Sequence, residues 1–281
     1  MVLRMFFSSV ILSLIILIPL GIKWEIDKKV LITSTLFIGI TVGTIVYGLS
    51  MFLQLRFYQL IIVELLNIAV IAIALLLWRF YRNPERIPPE PDNLILSPAD
   101  GRIIYIKRIQ KGEIPFSEKK GRRFSLHDFV QTNINFEGGY LIGIAMSYLD
   151  VHVNRTPVRG RIILMKRIKG LYISLKRKEA VLQNERLLTV IDNGHFKTGI
   201  VQITSRLVRK IIPFLNEGQE IQKGERMGMI RFGSQVDLLL PDLPSLRINV
   251  KLNDKVKACT CVIASFNNTV MKKSKIKNEI Y

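Results

Sequence analysis

The run "RFGSQVD", Arg231 to Asp237, follows the apolar stretch "MGMI" and joins one glycine to one serine. A Gly-Ser pair between two strand-like runs reads first as a turn or bulge. It also has a chemical reading. The peptide bond between Gly233 and Ser234 could itself be the reactive group. Bases are scarce: the histidines are His127, His152 and His195. His195, in "DNGHFKTG", reads as an exposed hairpin tip, and His127 falls in a polar stretch. His152 lies in "YLDVHVNRTPVRG", just after an apolar strand. Asp150, His152 and Asn154 alternate, so in a strand they share one face, either as a solvated edge or as a site. Asp100, in "SPADGR", reads as a turn residue through its Asp-Gly pair. It is also a carboxylate able to fix the tautomer of His152 and stabilise its cation.

These groups need elements to position them. Hydrophobic residues make up 49% of the 281, and the excess is concentrated in the first 80. Apolar stretches run from about Met5 to Ile22, Leu31 to Leu55 and Leu60 to Trp78. A helix needs ~20 apolar residues to cross a bilayer core. The second stretch meets that easily, and the third does so despite Glu64 and Asn67. The first is shorter and could be signal-like, but "IPLGIKWE" lacks a small-residue cleavage site, so the anchor has two or three spans. Glu64 reads as a residue near a helix end that reaches the head groups. Lys23, Lys28 and Lys29 share a side with Arg79, Arg82 and Arg86, against Arg4 and Arg56 opposite. Short basic flanks stay cytoplasmic, which places the large basic domain on the cytoplasmic face of the cell membrane. Pro84, Pro88, Pro89 and Pro91 then forbid a helix and give a stiff connector.

Beyond the connector the pattern turns to short β-rich runs divided by turn residues. They include "GRIIYIKRI" from Gly101, "GRIILMKRI" from Gly160, "RMGMIRF" from Arg226 and "VDLLLP" from Val236. "SRLVRKIIPFL", Ser205 to Leu215, reads as the clearest helix. Cys259 and Cys261, the only cysteines, read as neighbours on one side of a strand and a poor disulfide pair. "EGQEIQKGERMGMI" (Glu217 to Ile230) and "LNDKVKACTCVIA" (Leu252 to Ala264) form a weak repeat, similar to the half-motif of lipoyl- and biotinyl-carrier domains. No lysine stands at a matching hairpin tip, which argues against a lysine-borne cofactor. The expected architecture is therefore mainly β: a barrel-sandwich (lipoyl-carrier-like) catalytic domain with few helices, preceded by an α-helical membrane anchor. The divisions are an anchor over 1–80, a proline-rich connector over 81–95, a β domain over 96–265 and a basic tail over 266–281.

Taken in order, "FYRNPER", "SPADGRI", "DVHVNRTPVRG", "NERLLTVI" and "EGQEIQKGERMGMIRFGSQVDLLLP" resemble the short form of phosphatidylserine decarboxylase from about Phe80 to Ala264. The resemblance implies a proenzyme that cuts itself between Gly233 and Ser234. The Ser234 hydroxyl would take the acyl group from nitrogen to oxygen, and elimination and then hydrolysis would leave a pyruvoyl group on residue 234. The products would be a β chain, 1–233, and an α chain, 234–281. The pyruvoyl group, a covalent cofactor made from Ser234, would draw electrons from the substrate as pyridoxal does, with no metal required. Asp100 and His152 are the implied catalytic partners of Ser234. The longer bacterial form has a second histidine where Arg155 stands, and threonine where Gln235 comes after the serine. His152 could therefore serve both steps, or Asp100 could act more directly on Ser234.

The net charge of +19, from 41 Lys+Arg against 22 Asp+Glu, calls for an anionic partner. An anionic phospholipid substrate in the membrane fits. Nucleic acid does not, since no zinc-finger, RNP-like or recognition-helix pattern is present. Lys166, Arg167, Lys169, Lys176, Arg177 and Lys178 either hold the domain to the leaflet or form a solvated loop. A homo-oligomer is neither required nor excluded. The competing reading is a non-enzymatic membrane-anchored barrel-sandwich adaptor, which lacks support in the form of long heptad hairpins.

Overall fold

Each of the three apolar stretches is a helix: α1 (Val2–Lys23), α2 (Lys28–Phe52) and α3 (Phe57–Tyr81). The computed structural model describes residues 2–24, 26–53, 56–110, 116–119, 122–125, 138–168, 185–204, 210–231, 235–243 and 245–267. His127, Lys169, Lys176, Arg177, Lys178, Gly233, Ser234 and the tail from 268 lie outside them. The chain divides into two units, Met1–Tyr81 and Arg82–Tyr281. All three helices are long and apolar enough to cross a membrane. Their outward residues agree: Phe7, Phe37, Phe52 and Trp78 are exposed, a pattern that water penalises and lipid does not.

Within the helical unit, Val42, Val46 and Ile68 are fully buried. Gly39 and Gly43 let α2 approach α1: a Cβ on Gly39 would come within 2.8 Å of the Val10 Cα, and one on Gly43 within 2.9 Å of the Phe6 ring. Small residues four apart serve this purpose in apolar surroundings, where packing replaces the hydrophobic drive. Asp27 caps α2, its Oδ1 accepting from the amides of Lys29 and Val30 at 3.0 and 3.3 Å. Glu64 does not reach outward as the sequence suggested. It is buried, and its Oε1 accepts from Ser8 Oγ at 2.8 Å. A carboxyl this deep needs a polar neighbour, and α1 supplies one.

The second unit is mainly β. Its first strands are β1 (Leu94–Leu96), β2 (Gly101–Ile109), the hairpin β3 (Phe116–Lys119) and β4 (Arg122–Ser125), and β5 (Gly139–Ala145). Then come β6 (Val153–Arg155), β7 (Gly160–Ile168), β8 (Arg186–Asp192), β9 (Lys197–Ile203) and β10 (Lys210–Pro213). The last are β11 (Glu220–Ile221), β12 (Arg226–Arg231), β13 (Gln235–Pro241), β14 (Arg247–Ile248), β15 (Lys255–Val256) and β16 (Val262–Ser265). Eight strands form one curled antiparallel sheet in the order β11-β7-β8-β9-β13-β5-β2-β15. Smaller sheets run β10-β12-β6 and β1-β16-β14.

The eight-stranded sheet is buried on both faces, so its central strands read as continuous apolar runs rather than alternating ones. Ile142, Ile144, Ile200, Val236, Leu238 and Leu240 pack into one core. Leu141, Val201, Ile203 and Leu239 pack into the other. Two bulges shift side chains between these faces. The register slips between Ile103 and Tyr105 and again between Ile162 and Leu164, so Ile103 and Ile162 join the first core while Tyr105 and Leu164 join the second. An extra residue in one strand produces this reversal and adds to the curl.

Residues 210–213 are strand, not the helix expected over 205–215. Ile211 and Ile212 pair with Ile230 and Met229, and this ladder overrides local propensity. The repeat, by contrast, is structural. Gly218 and Asn253 both have positive φ, 85° and 71°, and so do Gly224 and Cys259, 82° and 72°. Each half then runs two-residue strand, turn, longer strand. Cys259 accordingly lies in a turn rather than on a strand shared with Cys261, and both thiols are free. The halves meet where they are tightest: a Cβ on Gly224 would come within 2.7 Å of the Cys259 sulfur.

The helical unit carries a direct test. Gly39→Leu is expected to force α1 from α2 and destabilise the detergent-purified chain by about 1–3 kcal/mol, read from the thermal melt of its helical signal. Gly48→Leu is the control, since nothing lies within 4 Å of a Cβ there, and its midpoint should not move.

Candidate active site

His152 lies between β5 and β6 and is fully buried. The turn before it is built by Asp150, whose Oδ2 accepts from the Ser147 amide at 2.6 Å. His152 Nδ1 lies 2.8 Å from the Asp150 carbonyl oxygen. Only a protonated Nδ1 can donate to a carbonyl, so this contact assigns the neutral tautomer and leaves the lone pair on Nε2. The backbone is held too, with the His152 carbonyl accepting from the Ile230 amide at 3.2 Å. Burial pushes the imidazole down to about 4, against the opposing pull of the Asp150 carbonyl and the charges of Asp150 and Asp100; the Arg82 charge adds to the depression. The ring is therefore neutral at physiological pH.

Asn154 is also fully buried, so this face is not a solvated edge. Its Oδ1 accepts from Gln202 Nε2 at 2.7 Å, a polar bridge from β6 to β9. Gln202 Oε1 is buried without a partner among the described residues. An unmet acceptor in a native core calls for a reason, and this one lies beside β6, the strand that follows His152.

Asp100 is buried, and its carboxylate is engaged by groups other than the imidazole Nδ1. Arg86 spans both oxygens, with Nη2 to Oδ2 at 2.8 Å, and the Ala258 amide donates to Oδ1 at 2.8 Å. Arg86 also donates to the Ala258 carbonyl at 2.9 Å. The hydrogen bond to Asp100 raises the Arg86 pKa, outweighing burial. Asp100 thus reaches His152 as a charge, while the tautomer-fixing contact expected of it comes from a backbone carbonyl.

The connector supplies residues that sequence reasoning left without a role. Arg82 Nη2 donates to the Leu149 carbonyl at 3.0 Å, and Arg86 holds Asp100. Arg226 binds Asn83 and Glu85. Arg155, at the position of the longer form's second histidine, donates to the carbonyls of Gly224 and Pro84, both at 2.9 Å. The available signal was "FYRNPER" itself, a motif whose two arginines flank a proline.

Gly233 and Ser234 lie outside the described residues, but both ends of their link are described. β12 pairs with β10 and β6, while β13 pairs on both sides, with β5 and β9. The link thus joins strands of two different sheets. Gln235, next after Ser234, is buried; its Nε2 donates to Asp237 Oδ1 at 2.8 Å and to the Tyr105 hydroxyl at 3.0 Å. Gly143 makes room for that tyrosine, since a Cβ would come within 2.4 Å of its ring.

A buried neutral imidazole, a clamped carboxylate and a strand link between two sheets thus lie in a β unit preceded in the chain by three helices long and apolar enough to cross a membrane. Residues 73–264 match the family model for phosphatidylserine decarboxylase. A protein of Methanothermobacter thermautotrophicus, provisionally named archaetidylserine decarboxylase proenzyme, is 36% identical over 202 residues, 72% of this chain and 86% of the relative. One of Methanocaldococcus jannaschii with the same name is 38% identical over 198 residues, 70% of this chain and 93% of the relative. The chain belongs to the phosphatidylserine decarboxylase family and is a decarboxylase, which removes the adaptor reading.

Two measurements probe this geometry. Asp100→Ala strands Arg86 in a buried setting and should cost about 3–5 kcal/mol in denaturant unfolding. For His152 the unfolded ring titrates near 6.5 and the folded ring near 4. The unfolded state therefore binds the extra proton between those values, and stability falls as pH drops through that window, by up to about 3 kcal/mol. Unfolding compared above and within that window should show a smaller loss for His152→Gln than for the parent.

Proposed function

We propose that this chain is a self-processing, pyruvoyl-dependent decarboxylase that converts phosphatidylserine, or its ether-lipid counterpart, to the matching ethanolamine lipid and CO2 at the membrane surface. The observation that carries the reading is the Gly233–Ser234 link. It joins two sheets, and its β12 end is hydrogen-bonded at Ile230 to His152. Cleavage there separates 1–233 from 234–281 without removing a strand from either ladder. A β domain of barrel-sandwich type fits the same picture, supported by the curled sheet and the repeated half-motif.

The chemistry assigned to the residues comes from their states. His152, neutral and with Nε2 as acceptor, takes the Ser234 hydroxyl proton as the oxygen attacks the Gly233 carbonyl. The Asp100 charge stabilises the imidazolium that forms, and Arg86 keeps that carboxylate in place. Asp237 and Tyr105 hold the Gln235 side chain, and with it the start of the new chain. The described residues fit a pyruvoyl group at 234: the next residue is buried and held by side-chain hydrogen bonds, and the His152 backbone is bonded to Ile230, near the end of β12. Such a group supplies a ketone that captures the substrate amine and accepts the electron pair released with CO2. His152, once protonated, is the candidate acid that returns a proton to the substrate carbon.

The apolar helices support residence in a membrane. Lys28, Lys29 and Arg79 against Arg4 and Arg56 support a cytoplasmic face for the β unit, and the charge of +19 favours an anionic leaflet. The head group is read at the site and the tails by the bilayer, so the ether-lipid name of the relatives changes the substrate's backbone and leaves the reaction as it is.

Denaturing mass spectrometry tests the proposal. The purified chain should separate into 1–233 and 234–281, the latter with a pyruvoyl in place of its serine, and Ser234→Ala should remain one inactive chain. His152→Ala should slow self-cleavage by about 10²–10⁴-fold. An intact wild-type chain that still turns over lipid would sink the assignment.

A further inference from the structure

Arg231 and Lys210 are direct cross-strand partners in the three-stranded sheet. Like charges opposite one another on a sheet destabilise it, and proteins commonly interleave a carboxylate. None is present here: among the described residues neither side chain makes an ion pair or a hydrogen bond. Arg231 Nε is buried and without a partner among those residues, so part of a guanidinium has lost water and gained nothing in return. Lys210 is exposed. Ile211 and Ile230, the next residues inward, are buried in the core, so by strand alternation the two cations share the opposite face.

The position of this pair matters more than its charge. Ile230 is hydrogen-bonded through its amide to the His152 carbonyl, so Lys210, Arg231 and His152 lie at one end of three adjacent strands. That is the end from which the chain leaves β12 toward Gly233. Three residues of chain span at most about 11 Å, so the cation pair and the Gly233–Ser234 bond are neighbours whatever path the link takes. The other cations around the site are committed: Arg86 to Asp100, Arg155 to two carbonyls and Arg226 to Glu85. Among the described residues, Arg231 and Lys210 have no such acceptor.

We infer that Arg231 and Lys210 form an anion site that takes the phosphodiester of the substrate's head group. A phosphate between them relieves their repulsion and gives the desolvated guanidinium its acceptor; arginine binds phosphate through two parallel N–H bonds, with lysine acting as a point charge. The phosphodiester is the fixed element of a serine-headed phospholipid, and binding it here sets the amine and carboxylate toward residue 234. The inference deepens the decarboxylase reading and rests on it for the identity of the ligand.

The test uses the full chain in detergent with Ser234→Ala, which stays whole whether or not the parent cuts itself. Failure of self-cleavage and failure of this site are therefore separate results. Titration calorimetry with glycerophosphoserine should show binding that weakens at least about tenfold in Arg231→Gln/Lys210→Gln, while Arg231→Lys retains most of it. A thermal melt confirms that the variants are folded. The head-group assignment is overturned if the double variant binds glycerophosphoserine as tightly as its parent, or if the parent shows no binding. It is equally overturned if inorganic phosphate binds the parent more tightly than glycerophosphoserine, which would make this a free-phosphate site.

Discussion

Strands β12 and β13 are consecutive in the chain and pinned in different sheets, with residues 232–234 alone between them. Each strand is held independently, β12 by β10 and β6, β13 by β5 and β9. The pairing of each strand therefore does not depend on the other. This makes a cut at that place compatible with a stable fold, since backbone pairing of β13 on both sides keeps the new chain in register. His152 and Asp100 precede β6 and β2, strands of these two different sheets.

Around these residues, charge is handled in two ways. Asp100 and Arg86 form a buried pair whose remaining valences go to the Ala258 backbone. A pair so satisfied is rigid, and its stability contribution over an apolar substitute is small; what it provides is a fixed negative charge in the field of His152. His152 is treated oppositely. Its ring is anchored by a backbone carbonyl, and burial keeps it uncharged. Asp100 is thus held by an ion pair and His152 by a backbone carbonyl, two different ways of burying a polar side chain.

The connector ties these features together. Arg82, Asn83, Glu85 and Arg86 lie within five residues and each contacts the β unit. A proline-rich segment, unable to form a helix, keeps its backbone groups open to such contacts. Arg155 grips the Pro84 carbonyl from β6. The stretch that reads as a spacer is thus part of the scaffold that holds Asp100.

The sequence by itself determined the apolar helices, because crossing length is a local count, and most strands, because apolar runs between turn residues are local too. It determined the half-motif repeat, whose positive-φ turns recur at Gly218 and Asn253 and at Gly224 and Cys259. It also drew attention to His152 and Asp100, both of which the fold buries. Tertiary structure decided what local pattern could not. Residues 210–213 became strand because β12 offered a ladder. Glu64 turned inward because Ser8 stood opposite. Asp100 took Arg86, and His152 took a carbonyl, because partners distant in sequence compete for a buried polar group on geometry. Hydrogen bonds across a core depend on which strands become neighbours, and that order arises only when the whole sheet closes.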